Sequence, residues 1–321
     1  MLFPFAAISQ VKWANVDAAF QPLPKDFHVY KTTDSLDGKP FIAYYAEATL
    51  KNKQLEFTTD TTLHRRITPM QFYAKDDKPL LVVNSSFFSY ETNGSINVTM
   101  KEGELLTYNS HSLPMRGKDT FQYRHPFGSA LGIDKKRKAD VAWLYTDSVT
   151  REAYAVQFPV QYSQDSVNAF SYKEARENAT EISGGSGLPL RAYHPLKKWK
   201  MQTAVGGGPV LLQEGQVKIS NNQELRFAGK AIEDQHPRTV MGYTNDGRLI
   251  IMVIQGRYKG IAEGATLTQE ALLLKDLGCE EALNLDGGGS SCMLINGKET
   301  IKPSEKGEER PVPAVFIIKK L

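Results

Sequence analysis

Three stretches of the sequence are apolar almost without interruption: "PLLVVN" (79–84), "LIIMVIQGR" (249–257) and "ALNLD" (282–286). A strand with one wet face alternates apolar and polar residues, so an unbroken run must be covered on both faces. Each run also stops at a polar group, Asn84, Arg257 and Asp286 respectively. In sheets with helical cover, ligands bind in crevices beyond the strand ends. If these ends lie together, an amide, a guanidinium and a carboxylate converge on one cleft. Arg238 in "HPRT" (236–239) and Arg310 in "GEERPVP" (307–313) each precede a further strand and are placed to join the same rim.

Elsewhere the pattern is that of strands with turns between them. "HVYKT", "FIAYYAEATL" and "LEFTT" alternate over 27–59, and "TMKEGELLTYN" reads as a hairpin turning at Gly103. "SALGI" and "DVAWLYT" flank the basic run "DKKRKAD" (134–140), which reads as a solvated hairpin tip. An Asn-Asp-Gly turn joins two strands over 237–257. One helix stands out in "TLTQEALLLKDLG". Thr266 and Gln269 make a capping box, Leu267, Ala271, Leu274 and Leu277 share a face, and Gly278 supplies the stop. The segment 160–200 loses its alternation and reads as a surface excursion, with "SYKEARENATEI" as a short helix inside it. The expected class is α+β: a mixed, largely antiparallel sheet with a few packed helices, in a single domain over 25–321. Residues 1–24 are either a trimmed leader or an N-terminal extension packing on that domain.

At 321 residues, 41% hydrophobic and 23% charged, the chain has an ordinary globular composition. A net charge of +3 is too small to argue for nucleic acid or an anionic membrane. No run is long enough to be read as a transmembrane segment. Cys279 and Cys292 are read as free thiols rather than a disulfide. Two acceptor sequons begin at Asn97 and Asn178.

Three consecutive glycines, Gly287, Gly288 and Gly289, follow Asp286, and Ser290 closes the run; "AVGGGP" (204–209) holds a second triplet that includes Gly207 and Gly208. Without Cβ atoms these stretches admit close approach, and their N–H groups can cradle an anionic oxygen. Mobile turns are the alternative for both. "GGGSS" lacks the lysine of a P-loop, and neither "GGGSSC" nor "GGSGLP" has the register of a nucleophile elbow. The six histidines are dispersed, which leaves no metal site to assign.

The motifs "NSSFF", "AVGGGPVLLQEG", "HPRTVMGYTNDGRL", "QGR", "GATLTQEALLLKDLG", "ALNLDGGGSS" and "ERPVPA" resemble, in this order, the phosphodiester glycosidase family over roughly 80–321. The resemblance implies an exported hydrolase that removes a sugar joined through its anomeric carbon to a phosphate diester. It implies a carbohydrate or sugar-phosphodiester substrate and no cofactor; a divalent cation would find backbone carbonyls and one Asp, but no ligand cluster calls for one. Asp286 is then the nucleophile or general base, and Arg238, Arg257 and Arg310 are phosphate ligands. Asn84, Ser85, Gly207, Gly208, Ser290 and the glycines after Asp286 line the substrate. The chain departs from the family where Ser85 and Ser86 stand in for glycines, and where Gln269 stands for a glutamate. If that glutamate were the catalytic acid, neighbouring Glu270 would have to replace it. A carbohydrate-binding module with little turnover, or a glycosidase with a non-phosphate aglycone, are the alternatives.

Overall fold

Near-continuous apolar strands need two partners, one on each face, and the fold supplies them with three large antiparallel sheets, beside two small ones, among the described residues. The structure, a computed structural model, describes residues 11–115, 122–160, 163–165 and 196–321. An eight-stranded sheet runs in the order Ala14–Asn15, Phe27–Thr32, Ala43–Thr49, Arg248–Ile254, Arg238–Thr244, Cys279–Asn284, Val210–Gln213, Gln216–Val217. A seven-stranded sheet is built around Gly128–Ile133, Ala139–Asp147 and Thr203–Gly206, and a five-stranded sheet around Leu81–Asn84, Ala314–Lys320 and Leu55–Thr61. The α+β class holds, with every pairing between these named strands antiparallel.

Period-two alternation survives inside the apolar strands as a choice between two cores. From Arg248–Ile254, Leu249, Ile251 and Val253 enter a central core with Phe27, Trp143, Val205, Leu81, Val83 and Phe316, drawn from all three sheets. Ile250, Met252 and Ile254 face the opposite way, against Leu267, Ala271 and Leu274 of the Leu267–Asp276 helix. Val82 likewise points outward, to Phe72 of the Pro69–Lys75 helix. Each fully buried side chain of this size contributes about 1.5–3 kcal/mol.

Local signals hold where the residues are described. Thr266 Oγ1 accepts from the Gln269 N–H at 3.1 Å and Gln269 Oε1 from the Thr266 N–H at 2.9 Å, which completes the capping box. Both cysteines are free and buried. The basic run 134–138 is a turn between two strands, pinned by Asp134 Oδ1 accepting from the Lys136 and Lys138 N–H groups. Residues 11–24 pack on the domain: Phe20 enters the central core, and Asn296 Nδ2 donates to its carbonyl at 2.7 Å. Asn97 corrects one expectation, since it is fully buried with its carboxamide bonded to the Phe87 N–H and the Gly207 carbonyl, so it is no surface acceptor. Most of the 160–200 excursion, its proposed helix and Asn178 lie outside the described residues.

The glycines of "AVGGGP" are explained by packing. Asn284 is adjacent, and a Cβ on Gly207 would stand 2.3 Å from its carbonyl oxygen and 2.9 Å from Leu285 Cδ2. Main chain cannot yield as a side-chain tip can. Gly207→Ala is therefore expected to cost about 1–3 kcal/mol by overpacking, read as a lower urea midpoint with an unchanged slope; an unaltered midpoint would show that the two strands can separate freely.

Candidate active site

Two of the sheets meet where the Leu81–Asn84 and Cys279–Asn284 strands end. Asn84 Nδ2 donates to the Asp286 carbonyl at 2.6 Å, while its Oδ1 accepts from the Thr239 hydroxyl at 2.8 Å and the Cys292 N–H at 3.1 Å. The Asp286 N–H in turn donates to the Ser85 carbonyl at 2.8 Å. Asn84 is wholly buried. The expectation that it lines the substrate gives way to another role: its amide binds main chain and clamps Asp286 in place. Ser85 is buried too, and its hydroxyl has no hydrogen-bond partner.

Antiparallel register carries Arg238, Arg257 and Asp286 to one end of the eight-stranded sheet, because Arg238 pairs with Ile254 and Val240 with Asn284. The glycine run packs directly on these arginines. Gly288 has a φ of +62°, and a Cβ there would lie 2.9 Å from Arg257 Nη2; one on Gly289 would lie 2.1 Å from Arg310 Nη2. Their missing side chains make room for guanidinium groups. Two of the three N–H groups expected to cradle an anion are engaged within the protein. Gly287 N–H turns to the Asp286 carboxyl, and Gly288 N–H donates to the Pro237 carbonyl at 2.8 Å. The N–H groups of Gly207 and Gly208 are likewise spent, on the Ser129 and Asn284 carbonyls at 3.0 and 2.7 Å.

The three arginines differ sharply in what they are free to do. Arg238 is buried, its Nε donating to the Ala265 carbonyl at 2.9 Å and its Nη2 to the Asp234 carbonyl at 3.0 Å, with Phe227 5.8 Å away. It lies beneath the rim rather than on it. Arg310 forms an ion pair with Glu305 and still acts electrostatically on Asp286. Arg257 is exposed, with a left-handed φ of +66°. Among the described residues it has no carboxylate within ion-pair reach.

Asp286 keeps part of its surface open, yet its carboxyl is crowded enough that desolvation raises its pKa to about 7, against the lowering pull of Ser290, Arg310 and the Gly287 N–H. The Ser290 hydroxyl influences this carboxyl without forming a well-shaped hydrogen bond of its own. Burial, Arg238 and Arg257 together depress the pKa of His236. Gln269 is occupied with its cap and with Asp37, 2.6 Å from Nε2. Glu270, one residue on, is fully buried 3.9 Å from Arg238 Nε, with no hydrogen-bond partner at either oxygen. Glu305 was not foreseen, since a five-residue offset from Arg310 inside a loop carries no periodic signal. Among the described residues no cluster of three His, Cys, Asp or Glu is arranged to hold a metal ion.

Comparison with known proteins identifies the family. The family model for phosphodiester glycosidases matches residues 77–319. The chain belongs to the phosphodiester glycosidase family. Mouse (Mus musculus) N-acetylglucosamine-1-phosphodiester alpha-N-acetylglucosaminidase is 28% identical over 102 residues, which cover 32% of this chain and only 19% of the mouse protein. The catalytic domain of the zebrafish enzyme of the same name, auto-inhibited by its pro-peptide, superposes with a TM-score of 0.56 at 18% identity, covering 94% of this chain and 85% of that one. A hypothetical protein from Synechocystis gives a TM-score of 0.60 at 13% identity, covering 97% and 64% respectively. At these identities the solved structures show a shared fold.

In this family member the Glu270–Arg238 pair makes stability depend on pH. Burial lifts the Glu270 pKa from 4.5 to about 8 and outweighs the opposing attraction of Arg238. Between those values the folded chain holds a proton that the unfolded chain has released, so stability falls as pH rises through the window. Glu270→Gln should remove that slope, melting above wild type at pH 9 and no higher at pH 5. Parallel melting curves for the two proteins across this range would show that Glu270 does not titrate there.

Proposed function

We propose that the protein hydrolyses the bond between the anomeric carbon of a sugar and the phosphate of a phosphodiester. The observation that carries the proposal is the convergence of the Asp286 carboxyl, Arg310 and the Arg257 guanidinium, which has no carboxylate partner among the described residues, on the bare backbone of Gly288 and Gly289. A phosphate monoester is a stable anion near neutral pH, so its departure calls for fixed positive donors more than for a proton. Arginine meets that need by binding phosphate oxygens in pairs. Arg257 is the first phosphate ligand in this scheme, and Arg310 the second once phosphate displaces Glu305. Arg238 supports both from below.

As the anomeric carbon–oxygen bond breaks, its electron pair goes to the phosphate oxygen and positive charge develops on the sugar. Asp286 either adds to that carbon or takes a proton from the attacking water; both roles require the carboxylate form. Water finally supplies the sugar hydroxyl. Export of the enzyme accords with this substrate class, because such diesters belong to envelopes and secretory compartments. Among the described residues no helix is long and apolar enough to cross a membrane.

Release of reducing sugar from a synthetic sugar-1-phosphodiester, with much slower release from the matching aryl glycoside, is the expected result. Asp286→Asn should lower turnover at least ~100-fold, and near-normal turnover would remove Asp286 from the chemistry. Because Asp286 must be ionised and its pKa is raised to about 7, kcat/KM should climb with pH through that value and then level off. Arg257→Ala should cost roughly 100-fold in kcat/KM on the phosphodiester and far less on the aryl glycoside. Equal losses on both substrates would mean that Arg257 does not hold the phosphate.

A further inference from the structure

The glycine run is not the last cationic feature on this side of the molecule. Arg310 leads into Val312, whose main chain pairs with Ile67, so the segment carrying Arg66 runs alongside the one carrying Arg310. The Arg66 guanidinium carbon stands 5.2 Å from the Phe88 ring centroid and 5.0 Å from that of Tyr90. Arg310 reaches the same Tyr90 ring at 5.9 Å. The Phe88 and Tyr90 rings are 4.9 Å apart, and Tyr90 remains 63% exposed, which leaves an aromatic surface open beside two guanidinium groups.

Arg66 is only partly exposed, yet among the described residues it has no carboxylate within ion-pair reach. Stacking on aromatic faces fixes the plane of a guanidinium but does not neutralise it, and its N–H edges stay available to an anion. Arg65 adds a further exposed positive charge one residue away. The loop is held in place rather than loosely draped. Leu63 and His64 take left-handed φ values of 43° and 56°, and a Cβ on Gly94 would come within 3.2 Å of His64 Nδ1. Fixed charge, an apolar platform and continuity with Arg310 together describe a binding surface.

We infer that Arg66, Phe88 and Tyr90 form an aglycone subsite that binds a second phosphate, carried on the alcohol side of the phosphodiester. The inference rests on the proposed phosphodiester chemistry and narrows its substrate class to molecules with neighbouring phosphates, such as a repeating polyol or sugar phosphate. Tyr90 packs against the carbon skeleton between the two anions, Arg66 takes the outer phosphate, and Arg257 and Arg310 keep the inner one.

Binding rather than turnover separates this subsite from the catalytic scheme. Affinities of propane-1,3-diol bisphosphate and of propyl phosphate are measured by calorimetry for wild type, Arg66→Gln and Tyr90→Leu. Wild type should bind the bisphosphate at least about tenfold more tightly, and Arg66→Gln should erase that advantage while leaving propyl phosphate unchanged. Tyr90→Leu should weaken the bisphosphate selectively as well. No preference in wild type, or equal losses on both ligands, would overturn the subsite. If selective binding holds while no sugar phosphodiester is cleaved, the glycosidase reading fails and the subsite stands. If cleavage proceeds and Arg66→Gln binds both ligands as wild type does, the subsite falls and the glycosidase reading stands.

Discussion

The carboxamide of Asn84 is the joint on which the site depends. It stands at the end of one sheet and holds the Asp286 carbonyl, the Thr239 hydroxyl and the Cys292 N–H, which belong to segments far apart in sequence. Both main-chain polar groups of Asp286 are then occupied, since its N–H donates to the Ser85 carbonyl. Leaving a buried group of this kind unpaired costs about 1–3 kcal/mol. Only a side chain with a donor and an acceptor on one planar head can serve all three partners, so neither Asp nor Leu replaces it. The orientation of the catalytic candidate is thus a property of the junction between sheets.

Beyond that joint, electrostatics are arranged by what each arginine already holds. Arg238 is committed to carbonyls and Arg310 shares its charge with Glu305, whereas Arg257 has no carboxylate partner among the described residues. Burial of the Asp286 carboxyl outweighs the lowering pull of Ser290, Arg310 and the Gly287 N–H together. A guanidinium facing two carboxyl groups stabilises neither fully. On the proposed chemistry, phosphate binding would compete with Glu305 for Arg310 and leave the charge around Asp286 little altered.

Much of this was legible in the sequence, and what was missed follows a pattern. Unbroken apolar runs such as 249–254 report two-sided cover, and two of their polar ends, Arg257 and Asp286, flank the glycine run, which Arg310 from the segment before the last strand also touches. Periodicity does not reveal which sheet a strand joins, so the three-sheet arrangement stayed hidden. Nor does it separate an arginine on a rim from one beneath it, which is why Arg238 and Asn84 were placed against the substrate. The glycines were rightly singled out for close approach, but the approaching groups are Arg257 and Arg310 after Asp286, and the Asn284 main chain at Gly207. Glu305, Arg66 and Tyr90 belong to loops, where neither spacing nor alternation carries information.

Glu270 sets how much of the charge on Arg238 is left uncancelled. Its place in the first turn of the Leu267–Asp276 helix favours a carboxylate, and Arg238 lies 3.9 Å away. Both effects support ionisation. Burial without a single hydrogen bond nevertheless wins and lifts its pKa to about 8. Near neutral pH the group is therefore largely protonated, and Arg238 keeps a charge that an ionised neighbour would have cancelled. Arg310 then stands between Glu305 and Asp286 with Arg238 charged beneath the rim, and Asp286 itself titrates at about 7. On the proposed chemistry, a guanidinium left charged by its protonated neighbour favours an anionic diester beside a carboxyl group that serves as nucleophile or base.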